Sequence, residues 1–175
     1  MERKLVHLIS EEKIAATVRR LAQELDRDYQ NRSPMLVGVL KGAFIFLADL
    51  VRNMKTPLCS IEFMRLSSYG SSTVSSGQAE VVIGLPEEIV RGQDVVLVED
   101  IVDTGITTAT ALDYLRRYQP ASLKLCALLD KPARRQVPVT IDYLGLSVPD
   151  RFIVGYGIDF NQKYRQLTAI YALEE

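Results

Sequence analysis

Residues Val95–Thr108, VVLVEDIVDTGITT, constrain this chain more than any other stretch. The apolar run Val95–Val98 meets two adjacent carboxylates, Glu99 and Asp100. A third, Asp103, then opens the small-residue turn Thr104-Gly105-Ile106-Thr107-Thr108. The apolar run reads as a strand covered on both faces, and Ala109–Tyr118 as the helix that follows it. That order places acids, hydroxyls and a glycine at the carboxyl end of a strand, where open α/β sheets bind ligands. The turn's N–H groups can wrap an oxyanion, helped by the helix N-terminus. A phosphate could sit there while the acids face whatever it is attached to.

The rest of the chain repeats the alternation of strand and helix. Ser10 can cap a helix whose apolar positions Ile14, Val18, Leu21 and Leu25 share one face. Met35–Leu40 reads as a buried strand ended by Lys41-Gly42, and Ala43–Met54 as a largely apolar helix. Leu58–Leu66 alternates as a strand, and Glu80–Gly84 returns from a long serine- and glycine-rich loop, Ser67–Ala79. Loops of that length are usually functional or disordered. Asp94–Glu99, Leu123–Leu129 and Ile141–Val148 add strands, Arg151–Phe160 is an apolar segment with turns, and Leu167–Leu173 could form a last strand. The pattern predicts one α/β domain over 1–175: a mostly parallel twisted sheet flanked by helices, with a small hood from the N-terminal segment and residues 149–175.

Composition removes several function classes. The net charge of −1 leaves no broad electrostatic footprint for nucleic acid or anionic membrane. Arg19-Arg20 and Arg134-Arg135 are too sparse for an RNA face and read as solvated. A single histidine, His7, argues against histidine-based nucleophilic or zinc catalysis. Cys59 and Cys126 read as two buried thiols, with a disulfide or metal pair as the lesser alternative. The N-terminus lacks an apolar core suited to a signal peptide and no segment approaches a membrane span, so a cytoplasmic location is expected.

The acidic pair and Asp103-Thr104-Gly105 in this register resemble the diphosphate-sugar binding motif of the type I phosphoribosyltransferases. Four further blocks extend the resemblance to the 6-oxopurine branch of that family: Leu40-Lys41-Gly42-Ala43, Ser68-Tyr69-Gly70, Leu128-Leu129-Asp130-Lys131, and Arg151-Phe152-Ile153-Val154-Gly155-Tyr156 with Asp159 and Arg165. The resemblance implies transfer of ribose 5-phosphate from 5-phosphoribosyl 1-diphosphate (PRPP) to N9 of hypoxanthine or guanine. It assigns Asp103, Thr104, Gly105, Ile106, Thr107 and Thr108 to the 5-phosphate. Glu99 and Asp100 go to the ribose hydroxyls, directly or through Mg²⁺, and Asp103 serves as proton acceptor near purine N7. Asp103 could equally cap the helix. Lys41, Gly42, Arg165, Ser68 and Tyr69 are assigned to the diphosphate, with the peptide before Lys41 often cis in the family. Lys131, Phe152, Ile153 and Asp159 are assigned to the purine, and Asp159 also to a second Mg²⁺. The loop 67–79 would act as a lid.

Two departures, Ala43 and Ile106, fall where backbone groups make the contacts, and they suggest a bacterial-type member. The resemblance also implies a homodimer or homotetramer, with Ala43–Met54 as a candidate interface. Two alternatives stay open on the sequence. One is a xanthine-preferring transferase; the other is a non-catalytic regulator that binds PRPP or RNA on the same fold.

Overall fold

Ser10 starts the first helix in the expected way: its hydroxyl accepts the Lys13 N–H at 3.2 Å. Glu11 and Glu12 lie in the first turn, where carboxylates complement the helix dipole. The computed structural model describes residues 4–68 and 79–174. It runs β1 (Lys4–Ile9), α1 (Glu11–Asp28), β2 (Met35–Leu40), α2 (Phe44–Asn53), β3 (Ser60–Ser68), β4 (Ala79–Ile83) and the single turn α3 (Glu87–Val90). Then come β5 (Asp94–Val102), α4 (Ile106–Arg116), β6 (Ser122–Asp130), β7 (Tyr143–Ser147), β8 (Phe152–Val154) and β9 (Ile170–Glu174).

Six strands form the main sheet in the order β4-β3-β2-β5-β6-β7. All neighbours are parallel except β3 and β4, which are antiparallel. β1, β9 and β8 make a separate antiparallel sheet from the terminal segments. This is the α/β architecture expected from the alternating pattern.

Strand periodicity divides the core in two. Val96 and Val98 of β5 point to the face covered by α1 and α2, with Leu21, Leu25, Phe46 and Leu50. Val95 and Leu97 point to the face covered by α4, with Ala111, Leu112 and Leu115. All four valine and leucine side chains of Val95–Val98 are fully buried. Truncating one such leucine to alanine typically costs roughly 2–5 kcal/mol. The chain leaves β2 toward β3 and leaves β5 toward β6, in opposite directions. The gap between β2 and β5 is therefore the switch point at which ligands bind in open sheets.

Several expected boundaries move. β3 continues past Leu66 to Ser68 and β4 begins at Ala79, so the expected lid 67–79 overlaps strand at both ends. β5 continues past Glu99 to Val102, and α4 begins at Ile106, not Ala109. The acidic pair therefore lies within the strand, and Ile106–Thr108 form the first helical turn. Cys59 is exposed; only Cys126 is a buried thiol. Among the described residues, no helix is long and apolar enough to cross a membrane.

Candidate active site

The continuation of β5 decides where its carboxylates go. Successive strand residues face opposite ways, so Glu99 follows Val95 and Leu97 toward α4. There Thr108 Oγ1 donates to Glu99 Oε1 at 3.2 Å, and both residues are buried. Asp100 follows Val96 and Val98 to the other face and stands against Gly42, where a Cβ would overlap its carboxylate. Burial pushes the Glu99 carboxyl well above the usual range, and the charge of Asp100 adds to this. Burial likewise pushes Asp100 up to about 6, against the pull of the Ile101 N–H.

After β5 the backbone reverses at Gly105, which holds φ +85° and occupies the cap position of α4. A side chain there would also collide with the Val137 carbonyl, so glycine is required twice over. Asp103 is therefore not the helix cap. Glu99, Asp100, Asp103, Thr104, Thr107 and Thr108 line a cavity of about 200 Å³, closed on the β2 side by Leu40 and Gly42. It opens at the switch point. The Thr108 hydroxyl, expected to face a phosphate, is here turned to Glu99.

Lys41 and Gly42 follow β2 directly, and the Leu40–Lys41 peptide is cis. Lys41 Nζ donates to Gln162 Oε1 at 3.3 Å, and Arg165 Nη2 donates to the same oxygen at 3.4 Å. Arg165 also pairs with Asp159 at 2.7 Å and donates to the Gly157 carbonyl at 2.7 Å. Asp159 Oδ2 accepts the Gln162 N–H at 2.8 Å. Gln162 thus ties together the two cations expected for a diphosphate. The sequence reading missed it because an amide between two motif residues carries no pattern of its own. Ser68 ends β3, and Tyr69, Gly70 and most of the expected lid lie outside the described residues.

Other candidate residues lie beyond β6 and on the small sheet. The Lys131 side chain is 5% exposed, and its Nζ stands 3.6 Å from Asp103 Oδ2. Arg134 Nε lies 3.5 Å from Asp103 Oδ1, an oxygen that is buried without a hydrogen-bond partner. Phe152 is 47% exposed and meets Phe160 edge to face at 5.2 Å. Ile153 is buried and pairs with Ala172 across the small sheet. Arg135, read from sequence as solvated, is tucked against the ends of β5 and β6. Arg20 also departs from that reading, donating to the Leu144 and Gly145 carbonyls.

Adjacent carboxyls, Glu99 buried and Asp100 partly buried, both driven toward their protonated forms, are a donor set that a hard divalent cation would suit. Among the described residues, no group of three His, Cys, Asp or Glu side chains forms a complete metal site. A cation held by Asp100 and Glu99 would complete its shell with water and substrate oxygens, as Mg²⁺ commonly does. Asp159 is already engaged by Arg165 and Gln162, so binding metal there would loosen those contacts.

Known proteins resemble this chain over most of its length. Residues 8–161 match the phosphoribosyl transferase domain. The chain is 45% identical over 174 residues to a hypoxanthine-guanine phosphoribosyltransferase of Aquifex aeolicus, covering 99% of this chain and 97% of that one. It is 43% identical over 167 residues to the enzyme of the same name from Bacillus subtilis, covering 95% and 92%. A crystal structure of a hypoxanthine-guanine phosphoribosyltransferase from Bacillus anthracis matches with a TM-score of 0.89 at 41% identity, covering 99% of this chain and 100% of that one. These relatives do not favour the xanthine-preferring or the regulatory alternative.

Proposed function

The chain belongs to the phosphoribosyl transferase family, and from that premise we propose that it salvages 6-oxopurines. It moves the 5-phosphoribosyl group of PRPP to N9 of hypoxanthine or guanine, giving IMP or GMP and diphosphate. The N9–C1′ bond forms as the bond from C1′ to the diphosphate oxygen breaks, and the purine sheds one proton.

The observation that carries this reading is the juxtaposition of Lys131 and Asp103, 3.6 Å apart. On a 6-oxopurine, the 6-oxo acceptor and N7 lie on one edge of the base. An ammonium group donates and a carboxylate accepts, so this pair can read that edge and take the departing proton. Adenine presents a donor at the 6-position and would oppose Lys131, which has no acceptor to offer. Phe152, half exposed, offers a face for base stacking, and Ile153 offers backbone groups.

The other end of the site takes the sugar and its phosphates. The turn at 103–108 suits the 5-phosphate through backbone N–H groups and the Thr104, Thr107 and Thr108 hydroxyls. Lys41, Gly42 and Arg165 suit the diphosphate, with Ser68 and Tyr69 closing over it; an arginine fork can hold a phosphate by two bonds. Asp100 and Glu99 suit the ribose hydroxyls and would hold Mg²⁺, and Asp159 would hold a second ion. Bound Mg²⁺ would neutralise charge on the leaving diphosphate.

The reading extends to the whole molecule. Residues 1–175 work as one domain, with 67–79 as the lid that excludes water. The free thiols Cys59 and Cys126 suit a reducing cytoplasm. Exposed Phe44 on α2, with Ile61 and Phe63 on β3, suits a face buried in a homodimer or homotetramer. An activity panel tests the central claim: PRPP, Mg²⁺ and each of hypoxanthine, guanine, xanthine, adenine and uracil. IMP and GMP formation is expected; product with uracil alone, or with none, would overturn the reading.

A further inference from the structure

Three consecutive carbonyls at the end of β5 are tied to one short segment of chain. The Val102 carbonyl accepts from Lys131 N at 2.9 Å and from Arg135 Nη2 at 3.3 Å. The Asp103 carbonyl accepts from Arg135 Nε at 3.1 Å. The Thr104 carbonyl accepts from Gln136 N at 2.8 Å and Val137 N at 3.0 Å. Arg135 is itself anchored by the Asp130 carboxylate at the end of β6, and the two side chains are only 19% and 14% exposed.

A trans peptide is planar, with its C=O and N–H on opposite edges. Pinning the carbonyls of Val102, Asp103 and Thr104 to the 131–137 segment therefore turns the N–H groups of Asp103, Thr104 and Gly105 away from it. Among the described residues, none of Lys131–Val137 lines the cavity, which is walled instead by Asp103, Thr104 and Gly105 themselves. The carbonyls face the brace while the turn's other side faces the site. A planar guanidinium can serve two carbonyls and a carboxylate at once; an ammonium cannot reproduce that fork.

We infer that Arg135, anchored by Asp130, is a positioning residue that presets the anion-binding amides of the 103–105 turn without touching substrate. Amides aimed before binding need no reorganisation when the phosphate arrives. This rests on the reading that the turn takes the sugar phosphate. A simple structural brace would predict something different, because it would affect both substrates alike.

The test compares Arg135→Lys and Asp130→Asn with the wild type in melting temperature, kcat, and KM for PRPP and for hypoxanthine. Arg135→Lys should raise the PRPP KM on the order of tenfold or more, the scale of losing charge-assisted hydrogen bonds. The hypoxanthine KM should stay unchanged. Asp130→Asn, which keeps Arg135 but removes its anchor, should shift the PRPP KM the same way by less, and it carries the test if Arg135→Lys does not fold. Folded variants with a lower melting temperature but a wild-type PRPP KM would overturn the inference. A wild type that does not use PRPP at all would overturn the functional reading first, and this inference with it.

Discussion

The two ends of the proposed site are built differently. The phosphate end is made of backbone: Gly105 sets the reversal, and the carbonyls of Val102, Asp103 and Thr104 are each bonded to the segment beside them. The base end is made of side chains on separate elements. Lys131 follows β6, and Phe152 lies on the small sheet of the terminal segments, half exposed. Lys131 reaches Asp103 in a form that a purine would have to enter. On the proposed reading, the difference teaches that a common group, the sugar phosphate, would be met by fixed amides. The distinguishing group, the base, would be read by side chains that can be exchanged without rebuilding the sheet.

Substitutions can break or sharpen that contrast. Asp103→Asn should have the largest effect, because it would remove the proposed proton acceptor and leave the turn's amides in place. A loss of about 10²–10⁴-fold in kcat is expected with PRPP binding retained; unchanged turnover would remove Asp103 from the chemistry. Lys131→Ala should weaken use of 6-oxopurines by roughly 10- to 100-fold, the range for a hydrogen bond to a charged group. PRPP binding should change far less, and equal losses in both would mean that the two ends are not separate.

The third test concerns stability. Burial raises the Asp100 carboxyl from 3.8 to about 6, so the folded protein holds a proton that the unfolded chain releases. A raised carboxyl contributes stability fully below its unfolded pKa and loses it as pH climbs through its folded one. Without divalent metal, Asp100→Asn should therefore be more stable than the wild type at about pH 8, by on the order of 2 kcal/mol. That margin should vanish near pH 4, and melting curves that coincide at both pH values would contradict it. Phe152→Ala should be the mildest change, raising the base KM by roughly a few-fold to tenfold. Its melting temperature should hardly move, since the ring is already 47% exposed.

Much of the fold was legible in the sequence. The apolar runs Met35–Leu40 and Val95–Val98 read as buried strands because they are short, rich in valine and bounded by polar or glycine-containing turns. The Ser10 cap and the stripe of Ile14, Val18, Leu21 and Leu25 defined α1 for equally local reasons. The end of β5 was harder to read. Two charges suggested that the strand stopped at Glu99, but the carboxyl end of a central strand facing a polar cavity accepts acids in strand geometry. That three-residue extension sends Glu99 and Asp100 to opposite faces. Arg135 was missed for a different reason: its partners are backbone carbonyls more than 30 residues away in sequence, and carbonyls have no sequence signature. Gln162 shares that difficulty.

The central claim is that the turn at Asp103–Thr108 grips the phosphate of an activated sugar. A crystal structure of the protein grown with PRPP and Mg²⁺ tests it most directly. The account predicts the 5-phosphate within hydrogen-bond reach of the Thr104 and Gly105 amides, with the diphosphate beside Lys41 and Gly42. PRPP bound elsewhere, with that turn empty, would contradict it.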